Sequence, residues 1–171
     1  MTKAEIQLVR ALADKRGRTE HGLFVAEGEK LIGELRGSHL KVRKIFALEG
    51  VFAGPEVETV APRDMERLSL LKTAANSLAI VETPRYGLDM RSLAGRLTLA
   101  LDDVQNPGNL GTIVRLADWF GIADIVCSEA SADCFITMPR RVALKGWRIP
   151  MLIRPSIWAL VRNTQRSPGL G

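Results

Sequence analysis

Apolar residues in the first 84 positions follow two periods, one typical of short helices and one typical of short strands. The two patterns alternate along the chain, and glycine or proline separates most of them. Strands are predicted over residues 23–26, 42–48, 57–60 and 77–81, and helices over residues 3–14, 28–35 and 62–68. This alternation predicts a small α/β domain over residues 1–84.

A second α/β pattern begins after a polar segment, residues 85–96, that we interpret as a linker. An apolar run over 97–102 predicts a buried strand, and an amphipathic helix is predicted over 110–120 with Gly121 as its end. A further strand is predicted over 123–127. Beyond Phe135 neither period continues, so the second domain is predicted to be partial, over 97–135.

The charge distribution sets the last part of the chain apart. The net charge is +5, but residues 136–171 contain seven basic residues and no acidic one, which leaves −2 for the rest. The basic excess therefore belongs to this atypical tail and is no evidence that the body of the protein binds nucleic acid.

Two absences in the sequence limit the cellular context. No apolar run is long enough to span a bilayer, and the N-terminal residues lack a secretory apolar core. Cys127 and Cys134 have no neighbouring histidine or second cysteine pair, so we interpret them as reduced thiols without a metal. A cytoplasmic location is expected.

The turn between the strand at 97–102 and the helix at 110–120 carries the clearest chemical signal. Its residues Asn106 to Ala117 read Asn-Pro-Gly-Asn-Leu-Gly-Thr-Ile-Val-Arg-Leu-Ala. Pro107 fixes its φ angle, and the two glycines allow close approach of a ligand. Asn109 is suited to cap the helix. Taken alone, this pattern fits a ligand-binding turn or a capped turn followed by a surface arginine.

The full pattern closely resembles the first signature motif of the SpoU (TrmH-like) branch of the SPOUT RNA methyltransferases. It reads Asn106-Pro-x-Asn109-x-Gly111-x-x-x-Arg115-x-Ala117 after an apolar strand. Upstream, Lys15-x-x-Arg18 and the segment from Leu23 to Lys30 are similar to the N-terminal substrate-binding domain of many members. The resemblance implies an α/β chain: a substrate-binding domain, then the first part of a SPOUT methyltransferase domain.

The resemblance also implies a reaction. Members transfer a methyl group from S-adenosylmethionine to a ribose 2′-hydroxyl of tRNA or rRNA. By resemblance Arg115 activates that hydroxyl, Asn109 orients the arginine or the ribose, and Asn106 shapes the turn. A guanidinium stays protonated near neutral pH, so gripping the neighbouring phosphate suits Arg115 better than accepting a proton.

A basic segment of the first domain is a candidate RNA contact. Lys15, Arg16, Arg18 and His21 lie in a segment interrupted by glycine, which we interpret as a phosphate-contacting loop. A solvated basic loop is the alternative for each residue taken singly.

The end of the chain departs from the family pattern. In the family, S-adenosylmethionine is bound by loops of a C-terminal trefoil knot, and the two later motifs that form them are not found after Phe135. The cofactor residues are therefore unassigned and the knot is predicted to be incomplete, which also leaves the homodimer common in the family open. One hypothesis is a truncated or frameshifted coding sequence from about residue 136.

Two alternatives to an active enzyme follow from the sequence. A non-catalytic RNA-binding module would use the first domain alone. A nucleotide-binding protein of the Rossmann type is disfavoured, because no GxGxxG or Walker A sequence follows a predicted strand.

Overall fold

The computed structural model describes residues 1–84, 95, 97–122, 124–128 and 130–133. The chain divides into two compact units after Pro84. Both combine helices with strands, which confirms the expected α/β class. Within these ranges no helix is long and apolar enough to cross a membrane. The predicted linker and basic tail fall mostly or wholly outside the described residues, so the domain boundaries stay predictions.

A four-stranded sheet forms the centre of the first unit, with strand order β1-β4-β2-β3. β4 pairs antiparallel with both β1 and β2, and Ala79 of β4 faces Ala26 on one side and Ile45 on the other. β2 and β3 pair in parallel. The strands are β1 (Leu23–Glu27), β2 (Val42–Ala47), β3 (Val57–Thr59) and β4 (Ser77–Glu82).

The central strand β4 is buried on both faces, with residues 77–81 all buried, because helices cover both sides of the sheet there. Leu78 and Ile80 of β4 join a buried cluster with side chains of α1 and α4. The alternate residues Ala79 and Val81 point to the other face, and α3 contacts β4 and β1 with three buried side chains. The helices are α1 (Lys3–Ala11), α2 (Lys15–His21), α3 (Glu29–Arg36) and α4 (Pro62–Leu68).

Charged groups tie α1 to the sheet. The Lys44 ammonium of β2 contacts the carboxylates of Glu5 in α1 and Glu58 in β3, the latter at 2.6 Å. The hydrogen bond from Lys44 lowers the pKa of Glu5 to about 2. Glu5 also accepts the backbone N–H of Thr2 at 2.6 Å, while the Thr2 hydroxyl accepts from the Glu5 N–H at 3.2 Å. This capping box fixes the start of α1.

The segment predicted to be a basic loop is helix α2, so that expectation is wrong. The Asp14 carboxylate accepts the N–H of Gly17 at 2.8 Å and caps the helix start, and Gly22 ends the helix with φ of +63°. Gly17 lies against α1: a Cβ there would be 1.8 Å from the carbonyl oxygen of Ala11. Glycine at 17 therefore permits close packing and does not interrupt the helix.

The second unit contains a parallel strand pair connected by one helix. β5 (Thr98–Leu101) pairs with β6 (Asp124–Cys127), and helix α5 (Pro107–Trp119) connects them. One face of α5 packs on the strands, and its core includes Leu110, Val114 and Ile125. Burial raises the pKa of the Cys127 thiol to about 11, so the thiol stays protonated at neutral pH. Cys134 lies outside the described residues.

The end of α5 is the glycine stop that the sequence predicts. Gly121 has φ of +68°, and its N–H donates to the carbonyl of Asp118 at 3.1 Å. The next N–H, of Ile122, donates to the carbonyl of Ala117 at 2.8 Å. This pair of bonds is a Schellman motif, which only a residue tolerant of positive φ forms without strain.

Candidate active site

The connection from β5 to α5 is bonded to the segment that follows β6. The N–H groups of Asp103 and Val104 donate to the hydroxyls of Ser128 at 3.0 Å and Ser131 at 3.2 Å. The two hydroxyls lie 3.1 Å apart, and Asp103 adopts φ of +54°. These bonds fix the chain just before Asn106, because two successive backbone N–H groups have assigned acceptors.

Asn106, rather than Asn109, caps helix α5. The Asn106 Oδ1 accepts the N–H of Asn109 at 3.1 Å, and Pro107 occupies the first helical position. A Cβ on Gly108 would come within 3.1 Å of the same oxygen, so glycine there leaves room for the cap. The expectation that Asn109 is the cap is therefore wrong. Asn106 was expected to shape the turn, and it does so by accepting this hydrogen bond.

Arg115 is exposed on α5 and makes a hydrogen bond within the helix. Its Nη2 donates to the Thr112 Oγ1 at 3.0 Å, and the Thr112 Oγ1 donates to the carbonyl of Gly108 at 2.9 Å. The guanidinium thus lies over the turn that precedes it, towards the start of α5. A positive side chain and the positive end of the helix dipole are both exposed on this part of α5.

Asn109 and Arg115 are both exposed but do not lie side by side. Six residues of α-helix separate them by about 9 Å along the axis and about 120° around it. A direct role for Asn109 in holding the arginine is therefore not supported by a contact, whereas a role towards a bound ribose stays a prediction.

The four basic candidates of the first unit do not share one environment. Lys15 and Arg16 are exposed in the first turn of α2, and His21 is exposed at its last residue. Arg18 is only 5% exposed, and its Nη1 donates to the carbonyl of Leu12 at 2.6 Å. Arg18 therefore satisfies a carbonyl at the end of α1, and its assignment as a phosphate contact is corrected.

The Glu27-Gly28 turn has a structural function in the first unit. The Glu27 carboxylate accepts the hydroxyl of Ser69 at 2.5 Å and the N–H of Leu70 at 2.8 Å. Gly28 has φ of +103°, which favours glycine. The turn thus fixes the chain that leaves α4.

Three hydroxyl residues of the site were missed by sequence reasoning. Thr112 lies inside the motif at a position that the pattern leaves unspecified, and its spacing of three residues from Arg115 was the available signal. Ser128 and Ser131 lie far along the chain from the turn that they hold. Nothing local in the sequence indicates that pairing.

The described hydroxyls that follow β6 serve the turn before α5 rather than a bound S-adenosylmethionine. The hydroxyls of Ser128 and Ser131 contact each other and the backbone, so they bind the turn instead of presenting themselves to a nucleoside. No cofactor residue of this chain is assigned from the sequence, and the segment after Phe135, where the family's cofactor motifs would lie, is outside the described residues.

Two family models match the chain in succession. The MRM3-like substrate binding domain matches residues 3–87, and the SpoU rRNA Methylase family matches residues 96–167. The second match continues well past Phe135, so the resemblance extends further than the sequence analysis expected.

Individual relatives agree with the two models. Over 134 residues the chain is 31% identical to the 23S rRNA (guanosine(2553)-2′-O)-methyltransferase RlmP of Bacillus subtilis (strain 168). The aligned region covers 72% of this chain and 51% of RlmP. The chain thus spans about half the length of that relative.

Solved structures give the same result. A TrmH-family protein from Porphyromonas gingivalis superposes with a TM-score of 0.78 at 28% identity, over 96% of this chain and 68% of that one. An AdoMet-bound rRNA methyltransferase from Sinorhizobium meliloti gives 0.72 at 26% identity, over 98% and 67%. The chain therefore belongs to the SpoU (TrmH-like) family, with an MRM3-like substrate-binding domain before its SpoU domain.

Proposed function

We propose that the protein to which this chain belongs methylates a ribose 2′-hydroxyl of ribosomal RNA with S-adenosylmethionine as methyl donor. The observation that carries the proposal is the exposed Arg115 guanidinium, held over the first turns of α5 in the family's first motif. The 2′-O-methyltransferase activity for which RlmP is named and the cofactor in the S. meliloti structure support the same reaction class.

The chemistry sets what Arg115 must do. When bound, S-adenosylmethionine supplies an electrophilic methyl group: the 2′-oxygen bonds to its carbon, sulfur takes the electron pair of the broken bond, and the hydroxyl proton goes to water. A ribose hydroxyl is a poor nucleophile, so negative charge developing on its oxygen needs stabilisation. Arg115 grips the adjacent phosphate and lowers the cost of that charge as a fixed cation.

The other predicted site residues are assigned to the RNA. Asn109 is exposed in the first turn of α5 and orients the ribose, with an amide that both donates and accepts hydrogen bonds. Lys15 and Arg16 in α2, with His21 at its end, are proposed to contact phosphates. Arg18 is left out of this set because of its burial.

Replacement of Arg115 by alanine tests the catalytic assignment. We expect kcat to fall by about 10²- to 10³-fold, because a charge stabiliser of the transition state is removed. RNA affinity should stay within about threefold, because a single phosphate contact contributes little to a large interface. Methyl transfer from labelled S-adenosylmethionine to ribosomal RNA measures the first quantity, and filter binding measures the second.

The matched control is Arg63→Ala, which removes an exposed arginine from α4. It should leave both quantities unchanged. If Arg115→Ala retains more than a tenth of the parent kcat, Arg115 does not act in the transfer step.

A non-catalytic RNA-binding module is the second candidate. It is favoured by the two later family motifs, which are not found in the sequence after Phe135. Titration calorimetry with S-adenosylmethionine separates the two. RNA binding without cofactor binding at millimolar concentration would leave only the module.

Location and assembly are proposed more broadly. A cytoplasmic location is proposed together with the ribosomal RNA substrate, because ribosomes occupy that compartment. The incomplete knot puts the homodimer common in the family in doubt, whereas exposed apolar side chains at the end of α5 favour association. Leu116, Trp119 and Phe120 are 53%, 85% and 73% exposed. Analytical ultracentrifugation of the protein measures the outcome.

A further inference from the structure

We infer that Thr112 is a positioning residue that orients the Arg115 guanidinium. The expected effect on methyl transfer rests on the proposed function, whereas the contact between Thr112 and Arg115 does not. Thr112 does not touch the reacting groups in this assignment and acts only through Arg115.

The directions of the two hydrogen bonds follow from the groups involved. A guanidinium has donors only, so the Thr112 Oγ1 must accept the bond of 3.0 Å from Arg115. The single hydroxyl hydrogen of Thr112 is then committed to the Gly108 carbonyl, 2.9 Å away. The oxygen lone pairs consequently face the arginine. Arg115 thus donates to Thr112, and Thr112 donates to the Gly108 carbonyl.

These two hydrogen bonds restrict the Arg115 side chain, which would otherwise move freely in solvent. Fixing an arginine costs side-chain entropy, and Arg115 is exposed on α5. Helical side chains lean towards the N-terminus, so the bond to Thr112 keeps the guanidinium near the Asn106 turn. One of its five N–H donors is used, and within the described residues no other bond to the guanidinium is found.

The described contacts give Thr112 little role in stability. It is exposed, and the buried face of α5 is formed by other residues. A hydroxyl bonded to the carbonyl four residues before it is neutral or slightly unfavourable for a helix. We therefore expect Thr112 to act through its other hydrogen bond, the one that it accepts from Arg115.

Helix α2 contains a matched control. The Thr19 hydroxyl donates to the carbonyl of Lys15 at 2.9 Å, which is the same bond to the fourth preceding residue. Three residues after Thr19 comes Gly22, which has no side chain to donate back. Thr19→Val therefore removes the helix bond alone, whereas Thr112→Val removes the helix bond and the arginine contact.

The experiment compares Thr112→Val, Thr112→Ser and Thr19→Val in the full chain. For Thr112→Val we expect kcat of RNA methylation to fall about threefold to tenfold, the effect of one modest hydrogen bond. The KM for RNA should stay within twofold. Thr112→Ser should restore kcat to within twofold of the parent, and Thr19→Val should leave it unchanged.

A second readout does not depend on turnover. NMR measures the rate of rotation about the Nε–Cζ bond of Arg115, with the signal assigned by its loss in Arg115→Lys. Rotation should accelerate in Thr112→Val and return towards the parent rate in Thr112→Ser. An unchanged rotation rate in Thr112→Val overturns the inference, and so does a rise in KM with kcat unaffected.

The two proposals fail in different ways. If the parent chain transfers no methyl group, the proposed function fails for this chain and the rotation rate alone decides the position of Arg115. If the parent is active and serine at 112 does not rescue the valine variant, the hydroxyl is not the orienting group.

Discussion

Helices α2 and α5 begin alike, but Arg18 in α2 and Arg115 in α5 lie in opposite environments. Each starts with an Asx cap, at Asp14 and Asn106, and each contains a threonine bonded to the carbonyl four residues earlier. In α2 the guanidinium of Arg18 turns into the protein and donates to a main-chain carbonyl. In α5 the guanidinium of Arg115 stays in solvent and bonds to a hydroxyl of its own helix.

The difference shows that the neighbourhood of a basic residue decides its role more than the motif around it. A guanidinium committed to a buried carbonyl contributes to stability and is closed to a phosphate. Among the described residues the Arg115 guanidinium bonds only to an exposed hydroxyl, which leaves four donors for a ligand. Substitutions in the two helices should therefore separate stability from activity.

The largest expected effect is on stability, from Gly17→Ala in α2. The new Cβ would lie 1.8 Å from the Ala11 carbonyl oxygen, so α1 and α2 must move apart. We expect a loss of more than about 3 kcal/mol in the free energy of unfolding, as for severe overpacking. Urea denaturation followed by circular dichroism measures it.

Gly33 supplies the control for that substitution. It lies inside α3, and a Cβ there would meet nothing within 4 Å. Gly33→Ala should stabilise by up to about 1 kcal/mol through helix propensity. If the two alanine variants behave alike, the close approach of α1 and α2 is not a constraint on the fold.

The next effect compares the two arginines directly. Arg18→Met should lower the free energy of unfolding by about 1.5–3 kcal/mol, because the Leu12 carbonyl loses a charged donor in a buried place. Arg115→Met should change it by less than about 0.5 kcal/mol, because the side chain is exposed. Thermal and urea unfolding of both variants provide the measurement.

Equal losses for the two methionine variants would contradict the distinction between a buried and an exposed arginine. The distinction also predicts that Arg18→Met keeps its kcat at temperatures where it remains folded.

The smallest effect concerns the caps. Asp14→Ala and Asn106→Ala each remove one acceptor from a helix start, at N–O distances of 2.8 and 3.1 Å. Each should cost about 1 kcal/mol. Hydrogen exchange at the N–H groups of Gly17 and Asn109 measures the loss locally, and exchange in α3 is the reference that should not change.

Much of the fold could be predicted because its signals are local. Strands β1 to β6 lie at the short apolar runs of the sequence, and Gly121 ends α5 as expected. Helix α2 was missed because glycine and charge in its first residues suggested a loop. Asp14 at its start and Gly22 at its end were the cap signals that indicate a helix.

The site was only partly predictable for a different reason. The motif residues could be found because their spacing is fixed along one helix. The burial of Arg18 depends on how α2 packs against α1, and no period or spacing encodes that. The bonds from Ser128 and Ser131 to the turn likewise join residues more than twenty positions apart.

That serine pair has a consequence for any attempt to transplant the motif. The twelve residues from Asn106 to Ala117 include both partners of the cap hydrogen bond that begins the helix. The angle at which the chain enters that helix is imposed from outside, by two hydroxyls located after the next strand. A graft must therefore include both strands and the serines that follow β6, because those serines fix the shape of the motif.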